Sequence, residues 1–233
     1  MNERRLQTNL DTDFLKIIAI ISMTVDHVGS AFFPQYPVFR WIGRLAFPIF
    51  CYCMTVGMLY TRDIKKYLIR LAVFAFLSQP VYVLAFNADR FWEEFTSLNI
   101  FFTLFVSLLG LWSFREKKWW LFAAAVLALM CINFDYAATG LILMLIFYLC
   151  RNKPWLGAAL YVLSYLPALN CYPDDPLALT VAGHAIGFEI FCILAAPLIF
   201  LNTNTKIKIS KWFFYAFYPL HLLAIYIVKI ILA

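Results

Sequence analysis

The chain has 233 residues, of which 64% are hydrophobic, 19% aromatic and 14% charged, with a mean hydropathy of +0.80 and a net charge of +6. A soluble domain carries about 25% charged residues to wet its surface, so this composition excludes one and implies an integral membrane protein. The basic residues fall in alternate loops, the pattern that fixes membrane orientation rather than one that binds nucleic acid.

The apolar residues come in blocks long enough to cross a bilayer as helices, roughly 17 to 25 residues each. They predict about nine spans: 14–33, 39–60, 64–86, 98–114, 118–134, 136–150, 154–170, 178–201 and 211–232. The fold class expected is all-α, a polytopic helical membrane bundle forming one domain over 1–233. The fifth and sixth spans are short and meet at "NFDYAATG", which reads as a tight hairpin.

With nine spans the loops sort by charge. One side receives Arg4, Arg5, Arg62, Lys65, Lys66, Arg115, Lys117, Lys118, Arg151, Lys153, Lys206, Lys208 and Lys211; the other receives Asp89, Arg90, Glu93, Glu94, Asp135, Asp174 and Asp175. Positive charge stays inside, so the expected setting is the cytoplasmic membrane, with the amino terminus cytoplasmic and the carboxyl terminus outside. The amino end, "MNERRLQTNLDTDFLK", is too polar and acidic for a cleavable signal peptide. The six cysteines lie mostly in apolar segments without metal-ligand spacing and read as small buried hydrophobes, so no metal is expected.

Ionisable side chains within a span cost at least a few kcal/mol unless paired, hydrated or used, which makes them the candidates for chemistry. On the first span Asp13, Lys16, Ile20, Met23, Thr24 and His27 recur at helical spacing and form one stripe expected to face the interior. His27 lies roughly 20 Å from Phe14 at ~1.5 Å per residue, in the outer half of the bilayer. Asp26, about 100° round the helix, either tunes the imidazole or forms an interhelical pair with Arg40 or Arg44. In "RWIGR" those two arginines stand one turn apart on one face, with Gly43 permitting close packing; two guanidiniums there suit a phosphate, a carboxylate or a developing anion.

Two further histidines fall in spans. His184 is flanked by Gly183 and Gly187 near the outer end of the eighth helix, with Glu189 farther in. His221 follows Tyr218 and Pro219 in the last, near the midplane. Each is either a substrate-binding group or a histidine satisfied by a neighbouring helix. Ser78, Gln79 and Pro80 interrupt the third span, and Asn99 with Thr103 lie one turn apart; interhelical hydrogen bonds explain most such residues, though Asn99 is also a candidate for substrate binding.

The segments "LKIIAIISMTVDHVG", "RWIGRLAFPIF", "YLIRLAVFAFLSQ", "LNIFFTL", "DYAATG" and "FYAFYPLHLL" together resemble the TraX family, whose namesake is implicated in amino-terminal acetylation of conjugative pilin. TraX proteins are in turn similar to the transmembrane acyltransferases, including the acyltransferase-3 family, in which a basic residue is followed after ten residues by an essential histidine. Lys16 and His27 have that spacing here, with lysine where the wider family usually has arginine, and Val56 stands where many relatives carry an acid.

The resemblance implies a transmembrane acyl-CoA-dependent N- or O-acetyltransferase that moves an acyl group from cytoplasmic acetyl-CoA to an amine or hydroxyl acceptor at the outer side. The acceptor would be a small amine, a sugar, a lipid headgroup or a peptide terminus. In that reading His27 is the general base, Asp26 tunes or orients it, and Arg44 with Arg40 binds an anion or the oxyanion. His184 and His221 assist acceptor binding or a second proton transfer, and Lys16, Lys65 and Lys66 meet the CoA phosphates. The alternatives are an ion- or proton-coupled transporter, which would also bury Asp, His and Arg but usually shows paired broken helices, a haem carrier using the histidines, and a non-enzymatic assembly partner of an envelope or pilus complex.

Overall fold

The computed structural model describes residues 7–172 and 175–232. Arg4, Arg5 and Asp174, used above for orientation, lie outside the described residues. The helices are α1 (Thr12–Phe32), α2 (Val38–Gly43), α3 (Ala46–Tyr60), α4 (Ile64–Asn87), α5 (Phe91–Glu94), α6 (Ile100–Arg115), α7 (Trp119–Cys131), α8 (Thr139–Leu149), α9 (Pro154–Leu163), α10 (Ala196–Phe200) and α11 (Lys211–Leu232). One hairpin, β1 (Leu179–Val181) and β2 (His184–Ile186), precedes a 3-10 stretch over Phe188–Ala195.

Four segments are long and apolar enough to cross a membrane: Thr12–Phe32, Val38–Tyr60, Ile64–Glu94 and Lys211–Leu232. The remaining apolar helices are shorter. At ~1.5 Å per residue α7 and α8 are about 20 and 16 Å long, against a hydrocarbon core about 30 Å thick. The chain is thus a helical membrane protein, and its short helices fall below the length of a full crossing.

Three expected spans differ from the structure for local reasons. The second is broken at Arg44 and Leu45, between α2 and α3. Pro48 explains the break, because its ring clashes with the carbonyl four residues back, that of Arg44, and it has no N–H to offer there. The seventh ends at Leu163 and continues as a 3-10 turn over Leu166–Leu169, where Pro167 disfavours helical geometry in the residue before it.

The eighth is not a single helix. Its first half is the hairpin, in which Leu179 pairs with Ile186, Thr180 with Ala185 and Val181 with His184. Ala182 (φ 49°) and Gly183 (φ 81°) turn the chain, both in the left-handed region that a two-residue hairpin turn requires. By contrast Pro80 leaves α4 unbroken.

The chain packs as two compact units: Met1–Cys53 with Ile146–Lys208, and Met54–Leu145 with Ile209–Ala233. In the first, α1 buries Leu15, Ala19, Ile20, Ser22, Met23, Asp26 and Gly29, a face that repeats every three or four residues. This face is centred one residue round from the expected stripe, so that Asp26 points inward and His27 lies half-buried at its edge.

The segment before α1 is tied to the rest of its unit by polar contacts. The Asn9 amide group donates to the Leu198 carbonyl at 2.8 Å and its backbone N–H to Ile199 at 3.1 Å. The Thr8 hydroxyl lies 2.7 Å from that of Tyr52, which donates in turn to the Asn9 carbonyl. Asp11 accepts from the Thr205 backbone at 2.7 Å and from its hydroxyl at 2.8 Å. Those bonds favour the charged form and hold the Asp11 carboxyl below its ordinary pKa, chiefly through the Thr205 backbone. The core beside them is aromatic: Phe147 meets Tyr52 edge-on at 5.4 Å and stacks on Tyr161 at 5.9 Å.

In the second unit α4 packs against α6 and α11, and α6 against α7. Asp63 caps α4, accepting from the Lys66 backbone at 3.0 Å. Asn99 caps α6 through the Phe101 N–H, and its amide donates to the Ala75 carbonyl and to Gln79, both at 2.8 Å. Gln79 also reaches the carbonyls of Phe95 and Ser97.

Candidate functional site

Asp26 is the centre of the most highly charged buried cluster in the first unit. Its Oδ1 accepts from Arg44 Nη2 at 2.9 Å and its Oδ2 from Arg40 Nη1 at 2.5 Å. The i, i+4 spacing of the arginines brings both guanidiniums to one carboxylate. Arg44 Nε also donates to the Arg40 carbonyl at 3.2 Å. Close approach of α1 to α2 depends on two glycines. A Cβ on Gly43 would stand 2.1 Å from Asp26 Oδ1, and one on Gly29 would stand 2.1 Å from Phe39 Cβ.

The trio carries one net positive charge, with two cations on a single anion. Arg44 is the buried member, its side chain 7% exposed, and its guanidinium covers the Phe188 ring at 4.7 Å. Arg40 is 26% exposed and is the more accessible guanidinium. Trp41, between them in sequence, stacks on Phe191 at 4.8 Å and donates from its indole to the Leu177 carbonyl at 2.8 Å. His27 is the next residue after Asp26 on α1.

Other candidates are distributed differently. Lys16 pairs with Asp13 at 3.0 Å, both half-buried. His184 is exposed on β2 rather than embedded in a helix, which corrects its expected position. His221, Asn99, Lys65 and Lys66 belong to the second unit. His221 is buried, with Nδ1 2.9 Å from the Phe217 carbonyl and its ring stacked on Phe217. Asn99 is fully buried, and its side chain serves the α6 cap, Ala75 and Gln79. Lys65 and Lys66 are exposed, and Lys66 reaches Asp63 at 3.4 Å. Among the described residues no three His, Cys, Asp or Glu side chains are grouped to hold a metal ion.

Phe188, which covers Arg44, had no signal in the sequence, because its place depends on a chain reversal at the hairpin. The ties of Asn9 and Asp11 to residues 198–205 were equally silent, being polar contacts across more than 180 positions.

Fold and site together define a helical membrane protein with a buried carboxylate bridging two arginines beside a histidine. Residues 11–229 match the family model described as TraX protein, and the chain belongs to the TraX family. It is 29% identical over 228 residues to the probable fimbrial assembly protein FimC, serogroup H1, of Dichelobacter nodosus, a match covering 89% of this chain and 91% of that one. It is 24% identical over 221 residues to an uncharacterized protein of Rickettsia prowazekii, covering 94% and 82%. No solved structure matches this chain.

Proposed function

We propose that the chain is an acyltransferase of the cytoplasmic membrane, its basic loops facing the cytoplasm, that transfers an acetyl group from acetyl-CoA to an amine or hydroxyl acceptor. The observation that carries this reading is the sequence of groups on α1: a histidine immediately after a carboxylate that is fixed by Arg40 and Arg44. His27 accepts the acceptor's proton as the nitrogen or oxygen attacks the thioester carbon. The tetrahedral intermediate then collapses, the CoA thiolate leaves, and the proton returns to it. Arg40 is the guanidinium available to a developing oxyanion, while Arg44, deeper and paired, fixes the carboxylate.

A second reading is favoured by the relative named as a fimbrial assembly protein. In it the chain is a non-enzymatic assembly partner of a surface fibre. Acetyl-CoA turnover by the purified protein in lipid nanodiscs separates the two. Saturable release of CoA supports the enzyme, and none from a folded sample supports the assembly partner.

A further inference from the structure

Arg70 lies within α4, six residues beyond Ile64, and its charge has no part in the site above. Its Nε is buried and has no hydrogen-bond partner. The guanidinium stands 5.8 Å from the centre of the Tyr67 ring, and the Tyr215 hydroxyl of α11 is its polar neighbour. Among the described residues no acid forms an ion pair with it. A cation inside a span is costly unless paired or hydrated. Asp26 meets that demand for Arg40 and Arg44 in the first unit; in the second unit Arg70 has no such carboxylate.

Helices α4 and α11 run side by side in the same direction. Arg70 meets Tyr215 near their amino ends, and Lys229 Nζ donates to the Ala85 carbonyl at 2.7 Å near their carboxyl ends. Lys229 thus takes one of the carbonyls that the end of α4 leaves free, whereas Arg70 sits among carbonyls the helix already uses. On α4, Lys66, Arg70 and Phe74 succeed one another at i, i+4, and Phe74 stacks on Tyr215 at 5.1 Å. On α11, Lys211 precedes Tyr215 at the same spacing, so basic side chains mark the amino end of both helices and aromatic rings follow.

Depth and surroundings select the missing anion. At ~1.5 Å per residue the 24 residues of α4 extend about 36 Å, more than a hydrocarbon core of about 30 Å. Arg70 is about 9 Å from the start of the helix, at the level where phosphates give way to acyl chains. Beside it on α4, Ile69, Val73, Phe76 and Leu77 are exposed and offer a surface to those chains. A soluble anion has no use for that flank. A zwitterionic headgroup brings its own cation to a helix end already lined by Lys65, Lys66 and Lys211, and an anionic one does not.

We propose that Arg70 anchors the phosphate of an anionic phospholipid at the amino-terminal end of the α4–α11 seam, with the Tyr215 hydroxyl beside it and the acyl chains along Val73 and Leu77. Basic pockets between transmembrane helices recognise anionic headgroups in this way, and a guanidinium suits a phosphate because two of its N–H groups match two oxygens. The site lies in the second unit and is independent of acyl transfer, so it stands or falls apart from the enzymatic reading.

The test uses the full chain in detergent, stripped of lipid, titrated with phosphatidylglycerol or phosphatidylcholine and followed by native mass spectrometry and thermal melts. Phosphatidylglycerol is expected to bind at least about tenfold more tightly than phosphatidylcholine and to raise the melting temperature. Arg70→Gln removes a cation without orphaning an acid, so the lipid-free variant should melt at or above the parent temperature, while its preference for phosphatidylglycerol falls to within about twofold. Lys117→Gln, at an exposed turn between α6 and α7, removes the same charge elsewhere and should keep the preference. Equal binding of the two lipids by wild type, an undiminished preference in Arg70→Gln, a preference lost equally in Lys117→Gln, or an Arg70→Gln protein that unfolds without lipid would overturn the proposal. Displacement of the bound lipid by CoA or inorganic phosphate would assign Arg70 to a soluble anion and would overturn it too.

Discussion

Asp26 and Arg44 meet at 2.9 Å within a buried contact whose geometry depends on the residue between Arg44 and Ile42 having no side chain. Gly43 is where α2 comes closest to the Asp26 carboxylate, and Arg44, one residue on, turns its guanidinium to the same group. The chemistry proposed for α1 rests on this contact, because it fixes the position of the helix that carries His27.

Substituting Gly43 by alanine should force the helices apart, since the added Cβ would stand 2.1 Å from Asp26 Oδ1. Overpacking of this kind costs about 1–3 kcal/mol. The expected result is a lower melting temperature in detergent and reduced turnover together.

Removing the carboxylate charge is predicted to be worse. Asp26→Asn leaves the buried Arg44 guanidinium without its counter-charge, and breaking a buried pair from one side costs about 3–5 kcal/mol. Arg44→Lys should not restore stability, because an ammonium cannot reproduce the two directions in which Arg44 donates, to Asp26 and to the Arg40 carbonyl. Thermal melts of both variants check the direction and the ranking.

Asn99 is expected to matter for stability and not for transfer. Asn99→Ala removes a helix cap and leaves the Gln79 carbonyl oxygen without the Asn99 side-chain donor, for a loss of about 1–3 kcal/mol. If turnover per folded molecule fell sharply instead, Asn99 would return to the list of substrate-binding groups.

Asp11 gives a pH dependence. Its folded pKa is depressed by the Thr205 bonds, so the stability it contributes is present above the unfolded value of about 3.9 and is lost as pH falls through the lower folded value. The protection of the Thr205 amide against exchange, relative to its intrinsic rate at the same pH, should therefore fall below about pH 4, and Asp11→Asn should flatten that dependence.

Much of the cluster was legible in the sequence. Arginines at an i, i+4 spacing around a glycine, and an aspartate in an apolar helix, announced a paired buried charge. What the sequence concealed were effects acting across chain reversals. Positive φ at Ala182 and Gly183 turned an apolar stretch, which reads equally well as a span, into a hairpin, and so moved His184 to the surface. Pro48 broke the second span four residues upstream of itself, at Arg44, whose charge reads equally well as a paired group inside a continuous helix. Asn99 read as an available polar group because its partners, Ala75 and Gln79, lie more than one helix away in sequence. The burial of Asp26 in preference to His27 followed from a rotation of about one residue, finer than an apolar pattern with few polar markers resolves.

The most direct test of the central claim is acetyl-CoA turnover by His27→Ala in nanodiscs, beside wild type. Because His27 is half-buried at the edge of the α1 face, the variant is expected to fold, with a melting temperature near that of the parent. The account predicts that it binds acetyl-CoA as wild type does and releases CoA about a hundredfold more slowly or less, the loss typical of a missing general base. Full turnover by a folded His27→Ala protein would contradict it.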